Sequence, residues 1–410
     1  MMVLRCIIFV CASLCCFSAA LADGNCTIAE QAIAQASVIR KLPIKTKVPC
    51  YVHTKEQVTE FVRESVKEKI PPSKLRNEER LFKLLGLIPE SFSYETGLID
   101  LYVNQIGGYY DPERNHFIMA GWLPEIMQPT IAAHELTHAL QDQYYDLGKF
   151  IDPKTDNSDD QLARSALVEG DATAVMMDYI RGLTGQKGLE HDPNVDAILM
   201  QNVVGASLTA GTGLPEGLQL LLIFPYTSGL RFAHDLLKEG SYQAIDAAFK
   251  KPPSSTEEIL HPEIYRASIK SYRTFSLDDG AQHIPAPHKI IYSDTIGEFG
   301  VSTLLSLFIA DKSRAAQAAK GWGGDRAFYA EKPSSGKETA VGLLVWKTAW
   351  DSEQDSQEFY QAAQDMLVAR FKLPLQGCSG KEAQCLVTSA YRVTIAKKGV
   401  EVQIVVEPVA

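Results

Sequence analysis

Residues 130–143 read TIAAHELTHALQDQ. Ile131, Ala132, Ala133, Leu136, Ala139 and Leu140 surround two histidines, His134 and His138, and a glutamate, Glu135. Flanks this small and apolar put the helix inside a core rather than on a surface. Buried imidazoles and a buried carboxylate need partners. The chain must therefore fold so that this helix is covered and its polar residues are met by groups from elsewhere. Residues four apart share one helix face, so His134 and His138 aim two imidazoles at one point. Glu135 lies about 100° round the helix, beside that point rather than on it.

Two imidazoles so placed fit a zinc ion, with Zn–N bonds of about 2.0–2.1 Å. Zinc needs at least one more protein ligand, and an open position if it is to act on a substrate. The extended pattern H-E-x-x-H-x-x-G-x-x-H would need Gly at 141 and His at 144. The chain has Gln141 and Tyr144 there, so the third ligand comes from another element. Glu169, within SALVEGDATAVM, sits among small and apolar residues. An acid is costly in such a stretch unless it is paired or metal-bound. A following helix that runs back antiparallel would return Glu169 to the histidines; Asp171 and His191 are its rivals.

HELTHA followed by Asp142 resembles the zinc helix of the thermolysin-like metallopeptidases, the gluzincins, and LVEGDA resembles part of their following helix. The combination is also similar to a group of uncharacterised, exported bacterial gluzincin-like proteins. The resemblance is confined to residues 131–142 and 166–173. It implies a zincin-like catalytic core, with Zn2+ held by His134, His138 and Glu169 and with Glu135 as general base. It implies that an edge strand before the zinc helix binds the substrate backbone by strand addition. It also implies a tyrosine or histidine that stabilises the oxyanion. Tyr226 in FPYTSG, read as projecting from a turn after Pro225, is the first candidate and His261 in ILHPE the second. The family carries an acid four residues after the ligand glutamate, behind a zinc histidine. This chain has Thr173, which leaves that work to Asp171 or Asp142.

The first residues bear on the compartment. Arg5 precedes an apolar run that ends in Ala20-Leu21-Ala22, the pattern of a cleaved signal peptide over residues 1–22. This predicts export, to the periplasm or outside the cell, and no stable membrane span after cleavage. Of 8 cysteines, Cys6, Cys11, Cys15 and Cys16 leave with the leader; Cys26, Cys50, Cys378 and Cys385 remain. Local pairing gives Cys26–Cys50 and Cys378–Cys385, although four cysteines allow three pairings. The formal net charge of -10 speaks against a nucleic-acid partner.

Hydrophobic residues make up 46% of the chain and charged residues 22%, a balance that supports a large core. An N-terminal helical segment (23–90) holds amphipathic helices at 55–69 and 74–86. A core segment (91–287) begins with extended structure around Leu101, Val103 and Ile106, then a hairpin through DPERN and HFIMA. The zinc helix spans 129–147. Further helices are expected from the stretch after IDPKTDNSDD and at 194–208, 215–223, 228–239 and 242–250. The last segment (288–410) holds helices at 294–310, 312–320 and 352–370 and a tight turn at GWGGDR. It also holds strands at 326–330 and 341–347, and a terminal hairpin turning at Lys397-Lys398-Gly399. The fold class is α+β, mainly helical.

The function expected is an exported zinc metallopeptidase acting on peptide or protein substrates. The alternative is an exported binding or scaffold protein with a structural zinc site, which a fourth protein ligand would mark. Specificity and oligomeric state leave no trace in the sequence.

Overall fold

The hairpin expected upstream of the histidine helix is one part of a small sheet. A computed structural model describes residues 23–409 apart from 106, 153–154, 200–212, 269–270, 334–341 and 379–382. The leader and most of the helix expected at 194–208 lie outside the described residues. Strand β1 (Cys50–His53), β2 (Gly108–Asp111) and β3 (His116–Ala120) form a sheet of order β1-β3-β2. β2 and β3 are antiparallel, joined by a turn in which Asn115 takes a left-handed conformation (φ 54°), one that asparagine tolerates. β1 is parallel to β3, a pairing that needs a crossover.

The crossover contains α2 (Lys55–Lys69), α3 (Pro72–Leu85) and α4 (Tyr94–Gln105). α2 starts at a capping box between Thr54 and Gln57, and α3 carries Pro72 in its first turn and stops at left-handed Gly86. The extended structure expected around Leu101 and Val103 is instead α4: Tyr94 and Leu98, four apart, are both buried on one helical face.

Four longer helices build the centre. They are α1 (Asp23–Arg40), α5 (Gln128–Tyr145), α7 (Ser158–Leu183) and α8 (Glu216–Lys250), with the one-turn α6 (Leu147–Phe150) after α5. α7 packs against both α5 and α8, and α1 lies on α5 and α7. The breaks expected around Pro225 do not occur. α8 runs through the proline, with Phe224 buried against Phe299 at a ring distance of 4.0 Å, so tertiary packing offsets the missing helical hydrogen bond. The break expected between the helices at 228–239 and 242–250 is present, at Gly240 and Ser241. Among the described residues no helix is long and apolar enough to cross a membrane.

After the short helices α9 (Thr256–Leu260), α10 (Pro262–Ala267) and α11 (Leu277–Ala281), a second sheet takes over. Its strands are β4 (Lys289–Asp294), β5 (Trp322–Glu331), β6 (Gly342–Trp350), β7 (Gln376–Gly377), β8 (Gln384–Val387), β9 (Tyr391–Lys398) and β10 (Glu401–Pro408). They follow the order β4-β5-β6-β10-β9-β8-β7, with α12 (Gly297–Ser306), α13 (Lys312–Ala319) and α14 (Glu353–Phe371) completing this part. Of GWGGDR only Gly321 (φ 72°) lies in a turn. Trp322–Arg326 open β5, with a register shift between Trp322 and Gly324. A Cβ on Gly324 would stand 2.2 Å from the Arg273 carbonyl oxygen, which is why a glycine-rich stretch occupies a strand.

Buried carboxylates tie this sheet to its surroundings. Asp325 accepts from the indoles of Trp322 (3.0 Å) and Trp346 (2.9 Å) and from the backbone N–H of Gly297 (2.9 Å). Asp294 accepts from the N–H (2.8 Å) and hydroxyl of Ser158, the first residue of α7. The fold is α+β and mainly helical, as the sequence leads one to expect.

Of the two expected disulfides, Cys26–Cys50 is present and ties α1 to β1. Cys378–Cys385 is not formed. The β7–β8 register sets Cys385 opposite Gln376, and the Cys378 backbone N–H donates to the Ala383 carbonyl, so the two cysteines are offset along the hairpin.

Candidate metal centre

α5 and α7 bring together three residues that the sequence holds apart. His134 and His138 sit one turn apart on α5, and Glu169 comes from α7. His134 Nε2 lies 3.1 Å from Glu169 Oε2 and 3.2 Å from His138 Nε2, and His138 Nε2 lies 3.5 Å from the same carboxylate oxygen. All three residues are buried. Ligand atoms on a tetrahedral zinc with bonds of about 2.0–2.1 Å stand roughly 3.3 Å apart. The triangle is therefore the right size, and two imidazoles with a carboxylate are the right donors, for a borderline divalent ion such as zinc. Among the described residues, this is the group of histidine, cysteine and acidic side chains that could hold a metal ion.

Without an ion the trio is an ion pair. Burial works against the Glu169 charge, but the two histidines outweigh it and bring the carboxyl down to about 2. Burial likewise opposes charge on His138, yet Glu169 wins and raises that imidazole to about 9. A divalent cation entering the triangle would take the place of the shared proton.

Glu135 lies beside the trio. Its Oε2 accepts the Tyr110 backbone N–H at 3.3 Å, which links it to β2, one of the two edge strands of the small sheet. Burial raises its pKa, against the pull of His134 and His138. Tyr226 lies within α8, not on a turn, and its ring lies over His134 with centroids 6.1 Å apart and planes at 29°. Burial first, then the charges of Glu169 and Glu135, push its hydroxyl well above the usual tyrosine range, so it stays a donor.

The other candidates are used differently. His261 does not join the trio: its Nε2 bonds to Glu298 of α12 at 2.9 Å. His191 is exposed beside Glu190. Asp171 is not a ligand but binds Arg40, and Asp142 accepts the Tyr110 hydroxyl at 3.0 Å. Thr173 Oγ1 and His134 Nδ1 are both buried without a hydrogen-bonding partner among the described residues.

Two residues that sequence reasoning missed complete the surroundings. Gln141 Oε1 lies 2.8 Å from His138 Nδ1; its place three residues after His138 on the same helix is a clue the sequence does contain. Arg40, the last residue of α1, is 0% exposed and faces Asp171 and Asp246. Burial opposes its charge, but those two carboxylates more than offset this and keep it firmly protonated.

A family model described as a domain of unknown function (DUF8575) matches residues 288–410, the stretch that carries the seven-stranded sheet. The trio lies outside the matched residues. No curated protein and no solved structure matches the chain.

Proposed function

We propose that this chain is an exported, zinc-dependent hydrolase that cuts peptide bonds. The observation that carries the reading is the buried triangle of His134, His138 and Glu169, flanked by Glu135 and Tyr226. His134, His138 and Glu169 would hold the ion. When bound, zinc supplies Lewis acidity to a carbonyl and makes a water acidic. Glu135, held toward the trio by the Tyr110 N–H, takes the proton of the attacking water and returns it to the leaving amine. Tyr226, kept protonated, donates to the oxygen on which negative charge develops. The Tyr110 N–H points out of the sheet edge toward Glu135, so a peptide laid along β2 would run past the site. The HELTH stretch and its similarity to the gluzincin zinc helix support the same reading.

The test is to incubate the zinc-loaded chain, without its leader, with a diverse peptide mixture beside its Glu135→Gln variant, and to read the cuts by mass spectrometry. Cleavage by the wild type alone, with zinc retained by both proteins, is the expected result. No cleavage by either at full zinc occupancy would overturn the peptidase reading in favour of a zinc-holding scaffold or a non-peptide substrate. Cleavage by both would overturn the role given to Glu135.

A further inference from the structure

The hydrogen bonds behind His138 run in one direction only. The Gln141 carboxamide nitrogen lies 3.0 Å from the Val168 carbonyl oxygen and 2.9 Å from Asp171 Oδ2. A carbonyl and a carboxylate can only accept, so the NH2 end must face them. The carboxamide oxygen is then the atom 2.8 Å from His138 Nδ1. That oxygen also only accepts, so Nδ1 carries a proton, and in the neutral ring the lone pair is left on Nε2, the nitrogen turned toward His134 and Glu169.

The direction begins at Arg40. Its Nε stands 2.7 and 2.8 Å from the two oxygens of Asp171, and both side chains are fully buried. A guanidinium only donates, so Arg40 holds the Asp171 carboxylate in place as an acceptor, and the same Oδ2 receives the Gln141 NH2 group. Arg40 is itself steadied by Asp246 at 2.8 Å and by the Tyr242 ring, 5.2 Å from its centroid.

We propose that Arg40 is a positioning residue for the metal centre: through Asp171 and Gln141 it fixes the His138 tautomer that presents Nε2 to a bound ion. The proposal rests on the zinc reading above, and it gives α1 a part in a site whose ligands all come from α5 and α7.

The experiment measures zinc affinity of the full chain by competition with a chromophoric chelator, and the protonation of the His138 ring by 15N–1H correlation in the zinc-bound state and, without zinc, at a pH high enough to leave the ring neutral. The proteins are wild type, Arg40→Met, Arg40→Lys and Gln141→Met. Loss of such an outer partner weakens metal affinity about 10- to 100-fold. That loss is expected for Arg40→Met and Gln141→Met, together with a His138 ring no longer confined to the Nδ1–H form. Arg40→Lys, still only a donor, should recover much of the loss. Folded Met variants that bind zinc within about twofold of wild type, with unchanged His138 signals, would overturn the proposal. Should Arg40→Met not fold, Gln141→Met decides, because it leaves the Arg40–Asp171 pair in place. A wild type that binds no zinc would sink the zinc reading instead, and the His138 signals of the zinc-free proteins would still decide the relay.

Discussion

Gly170 and Gly229 meet where α7 crosses α8, and neither has room for a side chain. A Cβ on Gly170 would stand 2.1 Å from the Gly229 carbonyl oxygen, and one on Gly229 would stand 2.2 Å from the Ala166 carbonyl oxygen. The backbones are in contact one residue after Glu169 and one turn after Tyr226. This approach sets how closely the tyrosine lies over the metal trio.

Gly170→Ala should therefore push the helices apart, at about 1–3 kcal/mol. Gly182, exposed near the end of the same helix with nothing within 4 Å of its Cβ position, is the control. Its change to Ala should stabilise by up to about 1 kcal/mol, the usual gain over glycine in a helix. Urea midpoints of the two variants, compared with wild type, read the difference in sign.

Zinc should stabilise the fold through the trio. At a hundred times its Kd, an ion that binds only the native state adds about 2.7 kcal/mol. Thermal unfolding should show a higher Tm for the wild type with zinc, a return to the lower value with excess chelator, and no response in Glu169→Ala. An equal zinc response in that variant would place the ion elsewhere.

Tyr226→Phe keeps the ring over His134 and removes the hydroxyl. Loss of one oxyanion donor commonly lowers kcat about 100- to 1000-fold. On a peptide found to be cleaved, kcat should fall by that order while KM and zinc affinity change little. A fall in zinc affinity instead would mark the tyrosine as support for the ligands.

Asp159, at the start of α7, gives a pH prediction. Burial raises its carboxyl from 3.8 to about 7, against hydrogen bonds from Thr256. The native state thus holds a proton that the unfolded chain has lost above pH 4. Its contribution to stability is full below the unfolded pKa and is lost as pH rises through about 7. Asp159→Asn keeps the oxygen that Thr256 bonds and cannot ionise. Relative to wild type, it should gain stability between pH 5 and pH 8 in urea titrations. A constant difference across that range would mean that Asp159 is ionised throughout.

The meeting of His134, His138 and Glu169 was legible in the sequence because each of them breaks a local pattern. Two histidines fall at helical spacing among alanines and leucines, and Glu169 is an acid in an apolar stretch. Gln141 was within reach by the same periodicity. Arg40 was not, since its partner Asp171 lies 131 residues away and nothing near Arg40 hints at it. The misread elements have local causes. Alternating Leu101 and Val103 suggested a strand, but Tyr94 and Leu98 bury a helical face. Glycines at 321–324 suggested a turn over the whole stretch, but only Gly321 turns, and Gly324 relieves a close approach of β5 to Arg273. FPYTSG suggested a turn at Pro225, but burial of Phe224 against Phe299 carries the helix through it.

The buried Arg40 has a consequence for the order in which the molecule is made. It leaves the ribosome before its acidic partners Asp171 and Asp246, which emerge much later. Until then its charge has no partner and must stay in water, so α1 cannot settle into its final place. A nascent chain that has already exposed HELTH still lacks Asp171, through which the relay orients His138. Metal capture would then mark the completion of folding through α8 and would not be an early step that guides it.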